Sequence, residues 1–183
     1  DLVNACTFGK VDAVNSPMFD IEYIFLKLRA KSVGETASVR VLCQDDGETY
    51  ANVKIPLEGV AVQMTVEHTN EVQINDKTKL VLKYPRLVDM SGVPEGTDDY
   101  GRMFLLLNNC IHEIHFGDKI YNAVDTTEKE REEFIESMDM EQLKSVTKFF
   151  ETMPKLRHAV KFKNPKTKVE NEVVLEGLQS FLD

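Results

Sequence analysis

The sequence predicts an α+β fold: a long N-terminal core helix, two β-hairpins, and a helical segment between them. Three observations carry this. Apolar residues recur at helical spacing between Ser16 and Gly34; they alternate at a spacing of two on either side of Gln44–Glu48 and around Asn164–Thr167; and after Asp98 the helical spacing returns. The 183 residues are expected to form one domain over 1–183, with a β-rich part over 35–90, a helical part over 98–153, and a C-terminal hairpin plus short helix over 156–182.

The first helix is bounded by its chemistry. Ser16 is an N-cap type, Pro17 suits a first turn, and Gly34 supplies the left-handed residue that ends a helix. Ile21, Ile24, Phe25 and Leu28 form its apolar stripe, widened by Tyr23, Leu26 and Ala30, so the helix is expected in the core. Lys27, Arg29 and Lys31 complement the negative end of its dipole. Next, Ala37, Val39 and Val41, then Ala51, Val53 and Ile55, alternate about an Asp46-Gly47 turn, a strong hairpin signal. Val60, Val62, Met64 and Val66 form a further alternating run, and a strand is expected over Lys79–Tyr84, ended by Pro85. Ser91–Thr97 is dense in loop formers.

Asp98 and Asp99 open a second helix, whose apolar arc is Met103, Leu106, Leu107, Cys110, Ile111 and Ile114. A third begins with a capping-box spacing from Asp125 to Glu128, and a fourth with Asp139 to Gln142, ending at Pro154. Leu156, His158, Val160 and Phe162 then alternate into a second hairpin through Asn164-Pro165-Lys166-Thr167, and Leu178, Phe181 and Leu182 close the chain on one helical turn.

Composition excludes several classes. Lys plus Arg less Asp plus Glu is 22 − 31 = −9, which argues against a phosphate-binding surface and so against a nucleic-acid partner. No apolar run reaches the roughly 18 residues of a membrane span, so no membrane partner is expected. Cys6, Cys43 and Cys110 are three and far apart, which suits a reducing compartment better than a disulfide framework. Because the chain opens on Asp1 rather than a methionine, further residues are expected before it.

Catalytic and metal chemistry find little support. His112 and His115, three apart on the expected helix and flanking Glu113, share a spacing seen in metal sites, but no further ligand completes a set and a surface or cap role is the expectation. Cys110 on an apolar face and Cys43 on a hairpin read as buried structural thiols. There is neither a phosphate-cradling glycine loop nor a G-x-S-x-G elbow, and no enzyme and no cofactor are expected.

Phe19-Asp20-Ile21-Glu22-Tyr23-Ile24-Phe25-Leu26-Lys27-Leu28-Arg29, followed by Lys31-Ser32-Val33-Gly34-Glu35, resembles the signature of the baseplate hub subunit family of T-even-type contractile-tailed phages. Lys83-Tyr84-Pro85, Phe134-Ile135-Glu136-Ser137, Lys148–Leu156 and Val174–Leu178 with Phe181 resemble later blocks of that family in the same order. The resemblance implies a viral structural or assembly protein of the tail baseplate hub. It would act by protein–protein interaction with other phage baseplate and tail proteins, and would be located in the virion baseplate after assembly in the host cytoplasm. A transient hub-assembly chaperone absent from the mature virion stays open beside it, as does, more remotely, a metal- or redox-dependent regulatory domain. Some members carry Cys-x-x-Cys at both hairpin turns, as in a zinc ribbon. Here only Cys43 stands where four ligands would, so a ribbon without zinc is expected, its turns at 43–47 and 164–167 side by side and held by apolar packing among Val41, Val53, Val160 and Val169.

The resemblance also marks Arg29, Lys31, Ser32 and Glu35 as candidate partner contacts. Ser32 has a second reading as a helix C-cap. If it is a contact, Ser32→Ala will leave the melting temperature nearly unchanged and abolish hub assembly; joint loss of stability and assembly will identify the cap.

Overall fold

The computed structural model describes residues 2–91 and 93–182. In chain order these form α1 (Leu2–Cys6), α2 (Met18–Ser32), β1 (Thr36–Leu42), β2 (Tyr50–Pro56), β3 (Ala61–Gln63), β4 (Glu71–Asn75), β5 (Thr78–Leu82), α3 (Leu87–Met90), α4 (Asp99–Cys110), β6 (Ile111–Phe116), β7 (Lys119–Asn122), α5 (Glu128–Glu136), α6 (Met140–Thr152), β8 (Lys155–Lys163) and β9 (Glu170–Glu176). Single 3-10 turns add Leu57–Gly59 and Leu178–Phe181. The α+β class therefore holds, with six helices and three sheets among the described residues. The chain resolves into two compact units: Asp1–Ala13, Phe19–Gln63 and Pro154–Asp183 make one, and Val14–Met18 with Met64–Met153 the other.

The first unit joins a two-stranded sheet, β1-β2, and a three-stranded sheet, β3-β8-β9, all antiparallel. Both expected hairpins are present. Their inward residues, Ala37, Val39, Val41 and Ile55 from one and Leu156 and Val160 from the other, share a core with Leu26, Ala30, Leu57, Val60 and Phe181. Full burial of a side chain such as Ile55 or Leu156 contributes about 1.5–3 kcal/mol. The closing turn does what its spacing predicts, with Phe181 wholly buried.

The long N-terminal core helix requires correction. A short helix, α1, precedes it, and of the fifteen residues of α2 only Leu26 and Ala30 are buried, while Ile21, Ile24, Phe25 and Leu28 are half-buried. The wide apolar arc is therefore covered incompletely. Pro17 forms a β-bridge with Arg86, and the Met18 amide donates to the Pro85 carbonyl at 2.9 Å. The helix ends before Gly34 as expected, but this glycine, at φ 151°, takes an extended positive-φ conformation and not the left-handed helical one expected of it. Lys27 does more than complement a dipole: its ammonium donates to the carbonyls of Leu57, Glu58 and Val60 and lies 5.1 Å from the centre of the Tyr23 ring.

The second unit is a meander, β4-β5-β6-β7, with α3 to α6. Val72, Leu80, Leu82, Leu107, Ile111, Ile135, Val146 and Phe149 build its core. Two sequence expectations shift here. The second helix stops at Cys110 rather than running through Ile114, and the chain passes directly into β6. The third helix is capped two residues later than expected, by Thr127 and Glu130, because Thr127 accepts from the Glu130 amide while the Glu130 carboxylate accepts from the Thr127 amide. The run from Val60 to Val66 is a strand only over Ala61–Gln63, and Met64 and Val66 are exposed.

His68 secures the segment that follows. Its Nδ1 lies 3.0 Å from Thr152 Oγ1 and its Nε2 3.1 Å from the Tyr84 hydroxyl, and its ring makes a triangle with those of Tyr84 and Phe149, whose centres are 5.7 and 5.2 Å away. Thr152 Oγ1 already donates to the Lys148 carbonyl at 2.7 Å, so it accepts from His68, which places the imidazole proton on Nδ1 and makes Nε2 an acceptor for Tyr84. Burial lowers the His68 pKa from its ordinary value. Between that lowered value and about 6.5, the unfolded chain binds a proton that the native state resists. The stabilisation is thus present above about pH 6.5 and is lost as pH falls toward the lowered value. The expected outcome is that the wild-type unfolding free energy rises between about pH 5 and 7 more steeply than that of His68→Phe, as denaturant titrations at each pH will show.

Candidate functional site: a clasp between turns and a groove between strand edges

The two hairpin turns of the first unit, more than a hundred residues apart in sequence, meet through side chains. Asn164, wholly buried at the end of β8, donates from its amide nitrogen to Asp45 Oδ1 at 2.9 Å and Asp46 Oδ2 at 3.0 Å. Its oxygen accepts from the amides of Lys166 and Thr167, folding its own turn. Asn171, at the start of β9, mirrors it: its amide nitrogen donates to Asp45 Oδ1 at 2.9 Å, and its oxygen accepts from the amides of Gln44 at 2.7 Å and Asp45 at 3.1 Å. The Thr167 hydroxyl donates to Asp45 Oδ2. Asp46 Oδ1 accepts from the amides of Glu48 and Thr49, and its Oδ2 from the Thr49 hydroxyl, around Gly47 at φ 66°.

These bonds set the charges. The hydrogen bond from Thr167, followed by that from Asn164, holds the Asp45 carboxyl below its usual range, and those from the Thr49 hydroxyl and amide hold Asp46 lower still. Both are anions that accept from neutral donors, a satisfied network rather than an ion pair. Cys43 is buried beneath them, and burial, with Asp46 and Asp45 nearby, raises its thiol pKa.

The expected juxtaposition of the turns is found, but its cause differs from the one expected. Val41 and Val160 are buried, Val53 is half-buried and Val169 is 49 % exposed, so apolar packing does not reach the turn itself. Amides, hydroxyls and carboxylates occupy that place. The residues present do not fit zinc: one protonated thiol faces carboxylates whose oxygens are already committed to amide and hydroxyl donors. Among the described residues no group of three His, Cys, Asp or Glu is placed to hold a metal ion.

The same pinning leaves two strand edges facing one groove. The amide of Cys43 donates to Thr49 and that of Leu57 to Glu35, so by antiparallel alternation Ala37, Val39 and Val41 bond to β2, while Ser38, Arg40 and Leu42 turn their backbone groups outward. In the other sheet the Asn164 amide donates to Val169 and that of Gly177 to Leu156, which commits Asn171, Val173 and Leu175 to β8. β1 and β9 are edge strands of separate sheets. Together with the closing turn they line a groove of about 680 Å³, walled by residues such as Val39, Arg40, Val41, Val173, Leu175 and Leu182. Arg40 stacks over the Tyr50 ring, 4.3 Å from its centre.

The contact residues read from the sequence lie elsewhere in this unit. Lys31 and Glu35 line a hollow of about 280 Å³ with Lys27, Ala30 and Glu58; Ser32 is exposed at the last position of α2, and Arg29 is half-buried one turn earlier. Of the four, only Lys31 and Glu35 are brought to one feature. His112, Glu113 and His115 stand on β6, not on a helix, where the β5–β6 register shifts at His112, and His112 Nε2 lies 3.9 Å from Glu113 Oε1. His115 Nε2 lies 2.6 Å from Glu113 Oε2. Cys110 is buried, and burial with Asp89 nearby pushes its thiol up to about 12. No helix among the described residues is long and apolar enough to cross a membrane.

Comparison with known proteins places this architecture. The family model described as T4 bacteriophage base plate protein matches residues 1–183. The chain belongs to that family. No curated protein and no solved structure matches it. The clasp and groove are thus features of a phage baseplate protein, as the blocks around Phe19–Glu35 led one to expect.

The clasp is open to a single-atom test. Asn164→Asp replaces an amide donor by a third carboxylate beside Asp45 and Asp46, and burying an unmatched charge costs about 3 kcal/mol or more. Its folded-state pKa will be raised by its anionic neighbours, so the native state binds a proton more readily than the unfolded chain does and the penalty shrinks as pH falls. Melting curves at pH 7 and pH 4.5 will show a gap from wild type that narrows at the lower pH.

Proposed function

We propose that this baseplate protein is a non-catalytic structural component of the baseplate hub, acting by protein–protein interaction with neighbouring tail proteins and binding neither nucleic acid nor membrane. The observation that carries the reading is the groove between β1 and β9: two strand edges whose outward backbone groups, at Ser38, Arg40 and Leu42 on one side, flank an apolar floor. An extended segment of a neighbouring subunit laid there gains main-chain hydrogen bonds from the edge and burial against the half-buried Val173, Leu175 and Leu182. The whole-chain family match supports the baseplate as the place where this happens. The hollow at Lys31 and Glu35, with Arg29 and Ser32 beside it, is a second proposed contact on the same unit.

Two measurements test the reading. Quantitative mass spectrometry of purified virions is expected to find the chain at a fixed copy number; its presence only on assembling baseplates would make it a transient chaperone instead. Arg40→Pro removes an outward N–H while leaving the β1–β2 ladder intact, because proline is tolerated at an edge. The expected outcome is loss of incorporation into baseplates, with the melting temperature of the isolated protein changed by only a few degrees.

A further inference from the structure

The second unit carries a separate exposed surface, on the terminal hairpin of its sheet. β7 has a neighbour, β6, on one side only. The Ala123 amide donates to the His112 carbonyl, so alternation assigns Tyr121 and Lys119 to the β6 ladder and turns the backbone of Ile120 and the N–H of Asn122 outward; the Asn122 carbonyl already accepts from Asp125. Large apolar side chains are exposed here: Phe116 at 54 %, Ile120 at 57 %, Tyr121 at 43 % and Val124 at 91 %. Phe116 and Tyr121 share a face with Ile114, and with Phe134 of α5 they line a cavity of about 310 Å³.

The charge beside this cavity has one dominant sign. α5 bears Glu128, Glu130, Glu132, Glu133 and Glu136. Its two cations are engaged: Lys129 lies 3.7 Å from Glu133, and Arg131 turns inward to Asn108, Ala123 and Thr126. Glu130 is the charged residue in the cavity wall, and Lys119 at the hairpin tip is the cation on that face of the sheet. A second copy of this chain pairing its own β7 with this one would bring a like acidic α5 to the same surface, and the chain carries −9 overall. A basic segment would be attracted to it.

We infer that β7 is extended by an extended, lysine- or arginine-bearing segment of another baseplate protein, with an aliphatic or aromatic side chain in the cavity between the hairpin and α5 and a cation against Glu130. This rests on the reading of the chain as a baseplate structural subunit, and adds a second partner surface with its own chemistry.

The test places a photo-crosslinking phenylalanine analogue at Ile120, in the full chain, in baseplates purified from infected cells, and sequences the crosslinked peptide; the same analogue at Arg40 is the control. The expected product is a peptide of another baseplate protein with net positive charge. Its yield should fall several-fold in Glu130→Gln, which removes the charge but retains the acceptor for the Thr127 cap, and in Tyr121→Ser, with either melting temperature within a few degrees of the parent. A crosslink to a second copy, a crosslink to an acidic peptide, or a yield indifferent to Glu130→Gln overturns the inference. If Arg40 crosslinks and Ile120 does not, the β7 surface fails while the structural role stands; if the chain is absent from baseplates, both fail.

Discussion

Asp45 is the point on which the first unit turns. Its two carboxylate oxygens receive bonds from Asn164, Thr167 and Asn171, and its amide donates back to Asn171, so a single residue in one hairpin is tied to three in the other. Hairpins in isolation are marginal in water, and two sheets of two and three strands have little hydrogen bonding between them. The shared core of Val39, Val41, Leu156 and Val160 holds the sheets together without fixing how their ends align. Directional bonds at the turns supply that alignment. The groove between β1 and β9 then exists because the sheets are pinned at the turns and meet the closing 3-10 turn at the other end, while their edges remain unpaired with each other.

The second unit is organised by burial more than by polar fastening. Phe149 sits against Tyr84, His68 and Phe150, and a bidentate Arg86–Asp89 pair, with both contacts at 2.9 Å, anchors α3. Asp89 is buried, which opposes its ionisation, but the hydrogen bonds and charge of Arg86 outweigh this and its pKa is lowered. The Asn109 side chain donates to the Asp89 carbonyl, so the same short helix is tied to α4.

Much of this was legible in residue order. Both long hairpins, the α6 capping box from Asp139 to Gln142 and the burial of Phe181 follow from spacing and turn chemistry that act over a few residues. The β4–β5 hairpin is hard to read from sequence, because the alternation of Val72 and Ile74 leads into Asn75-Asp76-Lys77, a turn signal weaker than Asp-Gly. β6 reads as helix because Cys110, Ile111 and Ile114 fit a period of 3.6; the opposing signal lies downstream in Gly117-Asp118, whose glycine takes φ 56° to turn the strand back. α2 misled for a different reason. An apolar arc states what a helix can bury, and only the number of neighbouring elements decides how much of it is buried. The clasp was half legible: that the turns should meet followed from the resemblance, but Asn164 and Asn171 gave no local sign of their role, since their partners lie some 120 residues away.

A fastening made of amides, hydroxyls and carboxylates has no oxidation state and no exchangeable ion. A metal knuckle opens when its thiolates are oxidised or its ion is stripped. The pair of turns at 43–47 and 164–169 offers neither handle, since its one sulfur, at Cys43, is buried and its oxygens are held by groups of the same chain. The alignment of these two hairpins is carried by hydrogen bonds among groups of one chain, with no ion to load and none to strip.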